Sequence, residues 1–165
     1  DRDGELPFYA TRIPEVGSLL KPADRLIRLS TEHKYDYDII AVTCSTLDRY
    51  CRRHGIGSID IAKIDVQGNE LAVLKGAAEL LANNAIVLVY LEIILAESYE
   101  QQSGMTRILD LMAQYGYALW DIMPFLYTTP GRVWTANAMF LSSVAASTLE
   151  NAVPAAVPPC TDAHP

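Results

Sequence analysis

The segment IAKIDVQGNELAVLKG, residues 61–76, contains a strand-like run followed at once by a helix-like one. Its apolar beginning ends at Asp65, Gly68 follows, and Glu70 opens a stretch in which leucines recur at helical spacing. We therefore predict a strand at residues 59–65 and a helix at residues 69–81. A strand that leads directly into a helix is the repeating unit of α/β sheets, so this segment decides the fold class.

Elements of the same kind flank this segment on both sides. The hydrophobic pattern predicts strands at residues 8–12, 38–43, 86–91, 117–122 and 133–141, and helices at residues 46–54 and 103–115. Alternating strands and helices favour an α/β fold with a mostly parallel sheet and helices on both faces. The last strand should run antiparallel, because the short turn around Pro130 and Gly131 leaves no room for a crossover helix.

Local signals set the boundaries of two segments. STLD, residues 45–48, is typical of a capping box, and Gly55 should end the helix that the box begins. After Ser142 the chain becomes rich in Ala and Pro and loses its periodicity. We therefore predict an ordered domain at residues 1–143 and a disordered tail at residues 144–165.

Composition and charge exclude several classes of partner. The chain has 165 residues, 50% of them hydrophobic, which suits a single globular core. Its formal net charge is −7, and only 2 of its 13 basic residues follow Lys75. Because a nucleic-acid binder needs a basic surface to displace counterions, we expect no nucleic-acid partner.

The same survey predicts where the protein resides. No apolar run approaches the roughly 20 residues that cross a bilayer, and the first residues lack the pattern of a signal peptide. Cys44, Cys51 and Cys160 are odd in number and lack the spacing of a metal site, so we interpret them as free thiols. We expect no membrane partner and a cytoplasmic location. Since the chain begins without Met, we also expect it to be a piece of a longer protein.

Two acids follow strands that should be neighbours. Asp65 comes directly after one apolar strand, and Glu92 comes directly after the run IVLVYL, residues 86–91. Ligands of an open α/β sheet bind outside the carboxyl ends of its strands, so both acids should face one crevice. There they could hydrogen-bond a hydroxyl group or take its proton. Gly68 would let the backbone turn sharply beside a ligand, and Glu70 lies in a first helical turn that favours a carboxylate.

Purely structural interpretations of these acids stay open. Glu70 is at least as well explained as a helix-start carboxylate, and Asp65 as a turn residue that caps the following backbone. Lys63 would then extend its amine to the edge of the sheet. The three histidines have no partners at ligand spacing, so we assign no metal site.

Several of these segments together resemble one family. CSTLDRY at residues 44–50, IDIAKIDVQGNELAVLKGAAELL at residues 59–81 and IVLVYLEI at residues 86–93 resemble the FkbM-type methyltransferases. The family pattern is a Leu-Asp pair that opens a helix, then a strand ending in K-I-D-V-E-G-x-E, then L-K-G-A, and later an apolar strand ending in Glu. The resemblance extends over about residues 4 to 141, although each motif alone is weak.

The resemblance implies an S-adenosylmethionine-dependent O-methyltransferase with a Rossmann-like class I sheet. It implies a substrate hydroxyl on a sugar, a glycan or a secondary metabolite. Asp65 and Glu92 would be catalytic, and Asp65, Gly68 and Glu70 would contact the cofactor S-adenosylmethionine.

Two departures from the family pattern qualify this expectation. Gln67 replaces the usual Glu, and no Gly-rich cofactor-binding turn follows a strand. The chain would then be the C-terminal half of the domain, a partial sheet that is inactive by itself. Its exposed sheet edge could pair with a second copy, so we also predict possible self-association.

Two other functions stay open. A non-catalytic methyltransferase-like domain could keep this half of the fold for partner binding. An unrelated α/β hydrolase or sugar-binding enzyme is a weaker alternative, because G-x-S-x-G is absent from the sequence.

Overall fold

The computed structural model describes residues 3–128 and 131–152. Six strands and six α-helices alternate along most of these residues. The strands are β1 (Gly4–Thr11), β2 (Tyr37–Cys44), β3 (Ile59–Ile64), β4 (Ile86–Ile94), β5 (Ala118–Tyr127) and β6 (Val133–Leu141). The helices are α1 (Asp24–Leu29), α2 (Leu47–His54), α3 (Glu70–Lys75), α4 (Ala78–Ala82), α5 (Met105–Gln114) and α6 (Ser143–Ala152). Pro14–Val16 and Thr31–His33 form short 3-10 helices.

The strands form two sheets instead of one. A four-stranded sheet has the order β3-β4-β6-β5, and β1 pairs with β2 in a separate two-stranded sheet. Among the described strands of this sheet, β3 and β4 are hydrogen-bonded in parallel, and β6 runs antiparallel to both β4 and β5. The antiparallel last strand is therefore confirmed, and β3, β4 and β5 point the same way. Parallel pairs are nevertheless not the majority, because β6 lies between β4 and β5 and because β2 pairs with β1 along its whole length, from Gly4 with Cys44 to Thr11 with Tyr37.

One face of the four-stranded sheet carries the hydrophobic core. Val89, Leu91 and Phe140 of this face are at most 1% exposed. They form one cluster with buried side chains of α2, α3, α4 and α5. On the opposite face Ile61 is 66% exposed. Helices were predicted on both faces, and the structure shows the main helical layer on one face only.

The predicted helix at residues 69–81 is two short helices. α3 ends at Lys75 and α4 begins at Ala78. The break has a local cause and a tertiary one. Gly76 is a poor helix former, and the Asp48 carboxylate accepts hydrogen bonds from the amides of Glu79 and Leu80 at 2.9 and 3.0 Å.

Asp48 therefore does not act in the predicted capping box. Thr46 caps α2 instead, because its hydroxyl accepts from the Arg49 amide at 3.2 Å. Ser45 donates to Asp3 at 2.9 Å. The predicted end of α2 is confirmed, since Gly55 adopts the left-handed conformation with φ 68°.

The predicted disordered tail begins too early. Residues 143–152 form α6, and Ala146 on this helix is buried. The Ser142 hydroxyl accepts from the Ala145 amide at 3.3 Å, which is the geometry of a helix N-cap. The Ala-rich composition that suggested disorder also has high helix propensity. The rest of the predicted tail, residues 153–165, lies outside the described residues.

Two features of the sheet concern the predicted edge pairing and the position of Glu92. β3 pairs only with β4 among the described strands, so its other edge is open, and self-association through that edge stays a prediction. β4 continues to Ile94, so Glu92 lies inside the strand and not directly after it, as the sequence had suggested. Across residues 3–128 and 131–152, no helix is long and apolar enough to span a membrane.

Candidate functional site

Asp65 and Glu92 lie side by side at one end of the parallel strand pair. The register of β3 and β4 pairs Ile64 with Leu91, so the next residue of each strand is an acid. The two carboxyl groups are close enough to hydrogen-bond each other when one is protonated. The predicted proximity of these two acids is confirmed, whereas their catalytic roles stay predictions.

Two side chains of the same segment contact this acid pair. The Lys63 amine lies 2.9 Å from Asp65 Oδ2. Gln67 Nε2 donates to Asp65 Oδ1 at 2.9 Å and makes a longer contact of 3.5 Å with Glu92 Oε2. Each oxygen of Asp65 thus accepts one hydrogen bond, from a cation on one side and from an amide on the other.

The two acids differ in their affinity for a proton. Burial acts to raise the pKa of Asp65, but hydrogen bonds from Lys63, Glu92 and Gln67 outweigh it and hold this pKa below its usual value. Burial, followed by the neighbouring Asp65, raises the pKa of Glu92 to about 7. Near neutral pH the pair therefore holds one permanent negative charge and one exchangeable proton.

Two other side chains, those of Tyr99 and Ser18, hydrogen-bond to Gln67. The Tyr99 hydroxyl lies 3.1 Å from Gln67 Oε1 and 2.9 Å from the Val16 carbonyl, and its single proton serves one acceptor at a time. The Ser18 hydroxyl donates to the Gln67 carbonyl oxygen at 2.9 Å. These contacts turn the amide nitrogen of Gln67 toward the acids.

Gly68 and Glu70 face the protein interior. Gly68 has φ 93°, which requires glycine, and the position of its missing Cβ is only 3.1 Å from Gln102 Cβ and 3.3 Å from the Tyr99 ring. Glu70 is 1% exposed, and its Oε1 accepts from the Gly68 amide at 2.9 Å. In this arrangement neither residue offers a surface to a ligand, so their predicted contacts with the cofactor stay predictions.

The pKa of Glu70 fits such a structural position. Burial raises this pKa, while main-chain amides of Glu70, Gly68 and Val66 act in the opposite direction through hydrogen bonds. The carboxylate thus ties together the turn between β3 and α3. This agrees with the structural alternative that the sequence left open for Glu70.

An open cleft lies elsewhere and is lined largely by charged groups, several of which pair with each other. This cleft of about 400 Å³ is bordered by α2 and the start of α4. Arg49 pairs with Asp3 at 2.7 Å, and Arg52 pairs with Glu79. Because these charges are already satisfied, the cleft makes a weaker candidate than the acid pair. Among the described residues, no group of three His, Cys, Asp or Glu side chains is placed to hold a metal ion.

Sequence reasoning missed three residues of the site. Lys63 had a usable signal, since residues i and i+2 of a strand share a face and Lys63 precedes Asp65 by two. Gln67 was noticed only as a departure from the family pattern. Tyr99 had no signal, because it reaches Gln67 from 32 positions along the chain.

Comparison with known proteins gives two matches. The model of the methyltransferase FkbM domain matches residues 10–119, which is two thirds of the chain. The 2-O-methyltransferase NoeI of Sinorhizobium fredii is 31% identical over 122 residues, which cover 70% of this chain and 49% of that protein. The chain thus spans about half the length of this curated relative. No solved structure matches significantly.

Proposed function

Because the chain belongs to the FkbM methyltransferase domain family, we propose that it is part of an S-adenosylmethionine-dependent O-methyltransferase. Its substrate would be a hydroxyl group of a sugar, a glycan or a secondary metabolite. The observation that carries the proposal is the pair formed by Asp65 and Glu92, which lies at the carboxyl end of parallel strands and holds an exchangeable proton. The name of the relative, a 2-O-methyltransferase, supports transfer to oxygen.

Methylation of a hydroxyl group requires a group that accepts its proton. S-adenosylmethionine supplies an activated methyl group when it is bound. The acceptor oxygen forms one bond to carbon and loses one to hydrogen, so a proton must move to a nearby base. Glu92 suits this task better than Asp65, because a base works best when its pKa is near the operating pH. With its pKa at about 7, Glu92 can take the proton at Oε2 and return it to water.

Asp65 has a complementary task. Its lowered pKa keeps it ionised while Glu92 changes its protonation state. A fixed carboxylate can accept a hydrogen bond from the substrate hydroxyl and can attract the positive end of the methyl donor. Lys63 limits the net charge of the pair, since its amine lies 2.9 Å from Asp65.

The fit of the donor to these residues is partial. The accessible carboxylates of Asp65 and Glu92 suit a cationic group or a hydroxyl. Gly68 and Glu70 are covered by the chain itself, so they would have to be uncovered before they could contact a cofactor. We therefore assign the charged end of the donor to the acid pair, and we assign none of the described residues to the rest of the donor.

A second candidate function is a non-catalytic domain that binds a partner. The same covered position of Gly68 and Glu70 favours it, because a turn closed by Tyr99 and Gln102 leaves less room for a cofactor. The two functions differ in one measurable property. A catalytic domain loses methyl transfer when Asp65 changes, and a binding domain has no methyl transfer to lose.

The test uses the full-length protein that contains this chain, labelled S-adenosylmethionine and a panel of glycan acceptors. We expect transfer by the wild type, and we expect Asp65→Asn to lower turnover by roughly a hundredfold or more, because it removes the fixed charge that would hold the hydroxyl and the donor. Glu92→Gln, which removes the proposed base, should lower turnover by a similar factor, within the range of acid-base assistance. Asp60→Asn is the matched control, because Asp60 is an exposed acid on the same strand. Near wild-type turnover in Asp65→Asn would remove Asp65 from the mechanism. Absence of transfer by a folded wild type to every acceptor would favour the binding domain.

A further inference from the structure

We propose that Gln67 is a positioning residue that orients Asp65 and Glu92 and sets how many protons the pair holds. The inference rests on the proposed function only for its consequence in catalysis. The contacts that carry it belong to the turn between β3 and α3, which is the same turn that contains Gly68 and Glu70.

Gln67 contacts both acids through a single atom. One nitrogen, Gln67 Nε2, contacts both carboxyl groups of the pair, at 2.9 Å to Asp65 and 3.5 Å to Glu92. An amide nitrogen has two hydrogens, so it can donate to both acids at once. Because one amide contacts both acids, their mutual orientation depends on the position of that amide.

Gln67 is itself held in place by neighbouring side chains. Its φ of 52° lies in the left-handed region, which costs a non-glycine residue free energy unless its surroundings enforce it. Ser18 holds its carbonyl oxygen, and Tyr99 holds its side-chain oxygen. Tyr99 is 2% exposed, so this support is rigid. The strain is placed beside the two acids, where orientation matters for a reaction.

Gln67 is an uncharged side chain among the charged groups around the acid pair. The groups that act on Glu92 are the carboxyl groups of Asp65 and Glu70 and the amine of Lys63. Tyr99 also faces the pair, and burial raises its pKa so far that it stays neutral. Gln67 is thus the neutral donor that reaches both acids. Because hydrogen bonds to the charged form of an acid favour that form, the amide helps to keep the pKa of Asp65 low, and its longer contact with Glu92 would act in the same direction.

Two substitutions separate positioning from a purely structural role. Gln67→Met keeps the length of the side chain but removes the donor. Gln67→Glu keeps an oxygen that Tyr99 can contact, so it preserves the turn, but it adds a third carboxyl group beside the pair. Gln114→Met and Gln114→Glu are matched controls, because Gln114 is exposed at the end of α5.

The experiment is a carbon-13 titration of the Asp65 and Glu92 carboxyl groups in the full-length protein, with the pH-rate profile of methyl transfer measured beside it. We expect the titration of the pair to move up by about half a pH unit or more in Gln67→Met and further in Gln67→Glu. The rising limb of the rate profile should move in the same direction. The Gln114 controls should move neither measurement.

The outcomes distinguish this inference from the proposed function. If both Gln67 variants fold and titrate as the wild type does, Gln67 does not act on the pair, and the inference is overturned even if the enzyme is active. If the carboxyl groups move as expected and no methyl transfer is found in any variant, the positioning role stands and the proposed activity fails. If Gln67→Met alone unfolds, Gln67→Glu decides, because its turn contacts are retained.

Discussion

Two of the acids in the motif segments accept hydrogen bonds from main-chain amides, and two others contact only side chains. Glu70 and Asp48 accept from amides of the turn before α3 and of the first turn of α4. Asp65 and Glu92 instead contact Lys63 and Gln67 at a partly exposed strand end. Asp65 and Glu70 are only five positions apart, yet side chains hold Asp65 and a main-chain amide holds Glu70.

The two kinds of acid differ in whether their hydrogen-bond partners can be exchanged for a ligand. A carboxylate that accepts from the main chain cannot release its partner without breaking the local fold, so it is suited to structure. Asp65 can exchange the exposed Lys63 amine for a substrate group at small cost, while the Gln67 amide keeps the carboxylate oriented. The type of hydrogen-bond partner therefore separates the structural acids from the candidate catalytic ones more clearly than the motif does.

The largest effect on stability should come from the most enclosed acid. Glu70→Ala leaves the buried Gly68 amide without an acceptor, and an unsatisfied buried group costs about 1–3 kcal/mol. At about 2 kcal/mol the thermal midpoint should fall by roughly 4–8 °C for a domain of this size. Differential scanning calorimetry measures the change.

Glu70→Gln tests whether the lost hydrogen bond causes this loss of stability, because its side-chain oxygen can still accept from the Gly68 amide. We expect it to recover most of the lost stability. If Glu70→Ala were as stable as the wild type, Glu70 would not be a structural acid, and a ligand-binding role would have to be considered again.

Asp48→Ala should have a smaller effect. Its carboxylate satisfies two amides at the start of α4, and loss of a comparable helix cap costs about 1 kcal/mol. The residue is only half-buried, so water can replace part of what is lost. Urea unfolding measures the difference, with Asp60→Ala as the exposed control. An effect equal to that of the control would mean that α4 is not stabilised by Asp48.

The sequence predicted the parts of this structure that depend on local pattern. The strand and helix around Asp65, the end of α2 at Gly55 and the antiparallel last strand all follow from spacing and turn residues. The sequence-based predictions failed where the structure of a segment depends on a residue or strand far away in the chain. Asp48 divides the helix at residues 69–81 by binding the amides of α4, and β1 pairs with β2 outside the main sheet.

The candidate site likewise has a part that the sequence predicts and a part that it does not. Asp65 and Glu92 could be placed together because parallel neighbours have a common carboxyl end. The amide that joins them could not be predicted, because its orientation depends on Tyr99 and Ser18, which lie far away in the sequence. Burial, which separates Glu70 from Asp65, also depends on Tyr99 and Gln102, which lie over the turn.

Glu92 should make the free energy of unfolding depend on pH. We expect this to be the smallest of the effects, and it tests most closely how the acid pair differs from the acids held by main-chain amides. The folded pKa of Glu92 is raised to about 7 from an ordinary 4.5, so the folded protein keeps this proton over a range in which the unfolded chain has lost it. Unfolding then releases a proton, and stability falls as the pH rises from about 4.5 to 7 and is level above that range. Asp65, with its lowered pKa, acts in the opposite direction and only at lower pH, so it does not disturb this window.

Glu92→Gln removes the titration and should reduce the loss of stability between pH 5 and pH 7.5, as measured by urea midpoints at each pH. Because Glu92 is half-buried, solvent screens part of the effect, and we expect a shift smaller than that of Asp48→Ala. Glu97→Gln is the matched control, since Glu97 is an exposed glutamate just beyond the same strand. An identical loss of stability in the wild type and Glu92→Gln would mean that Glu92 titrates normally. The acid pair would then hold no exchangeable proton near neutral pH, and the contrast between it and the acids held by main-chain amides would rest on exposure alone.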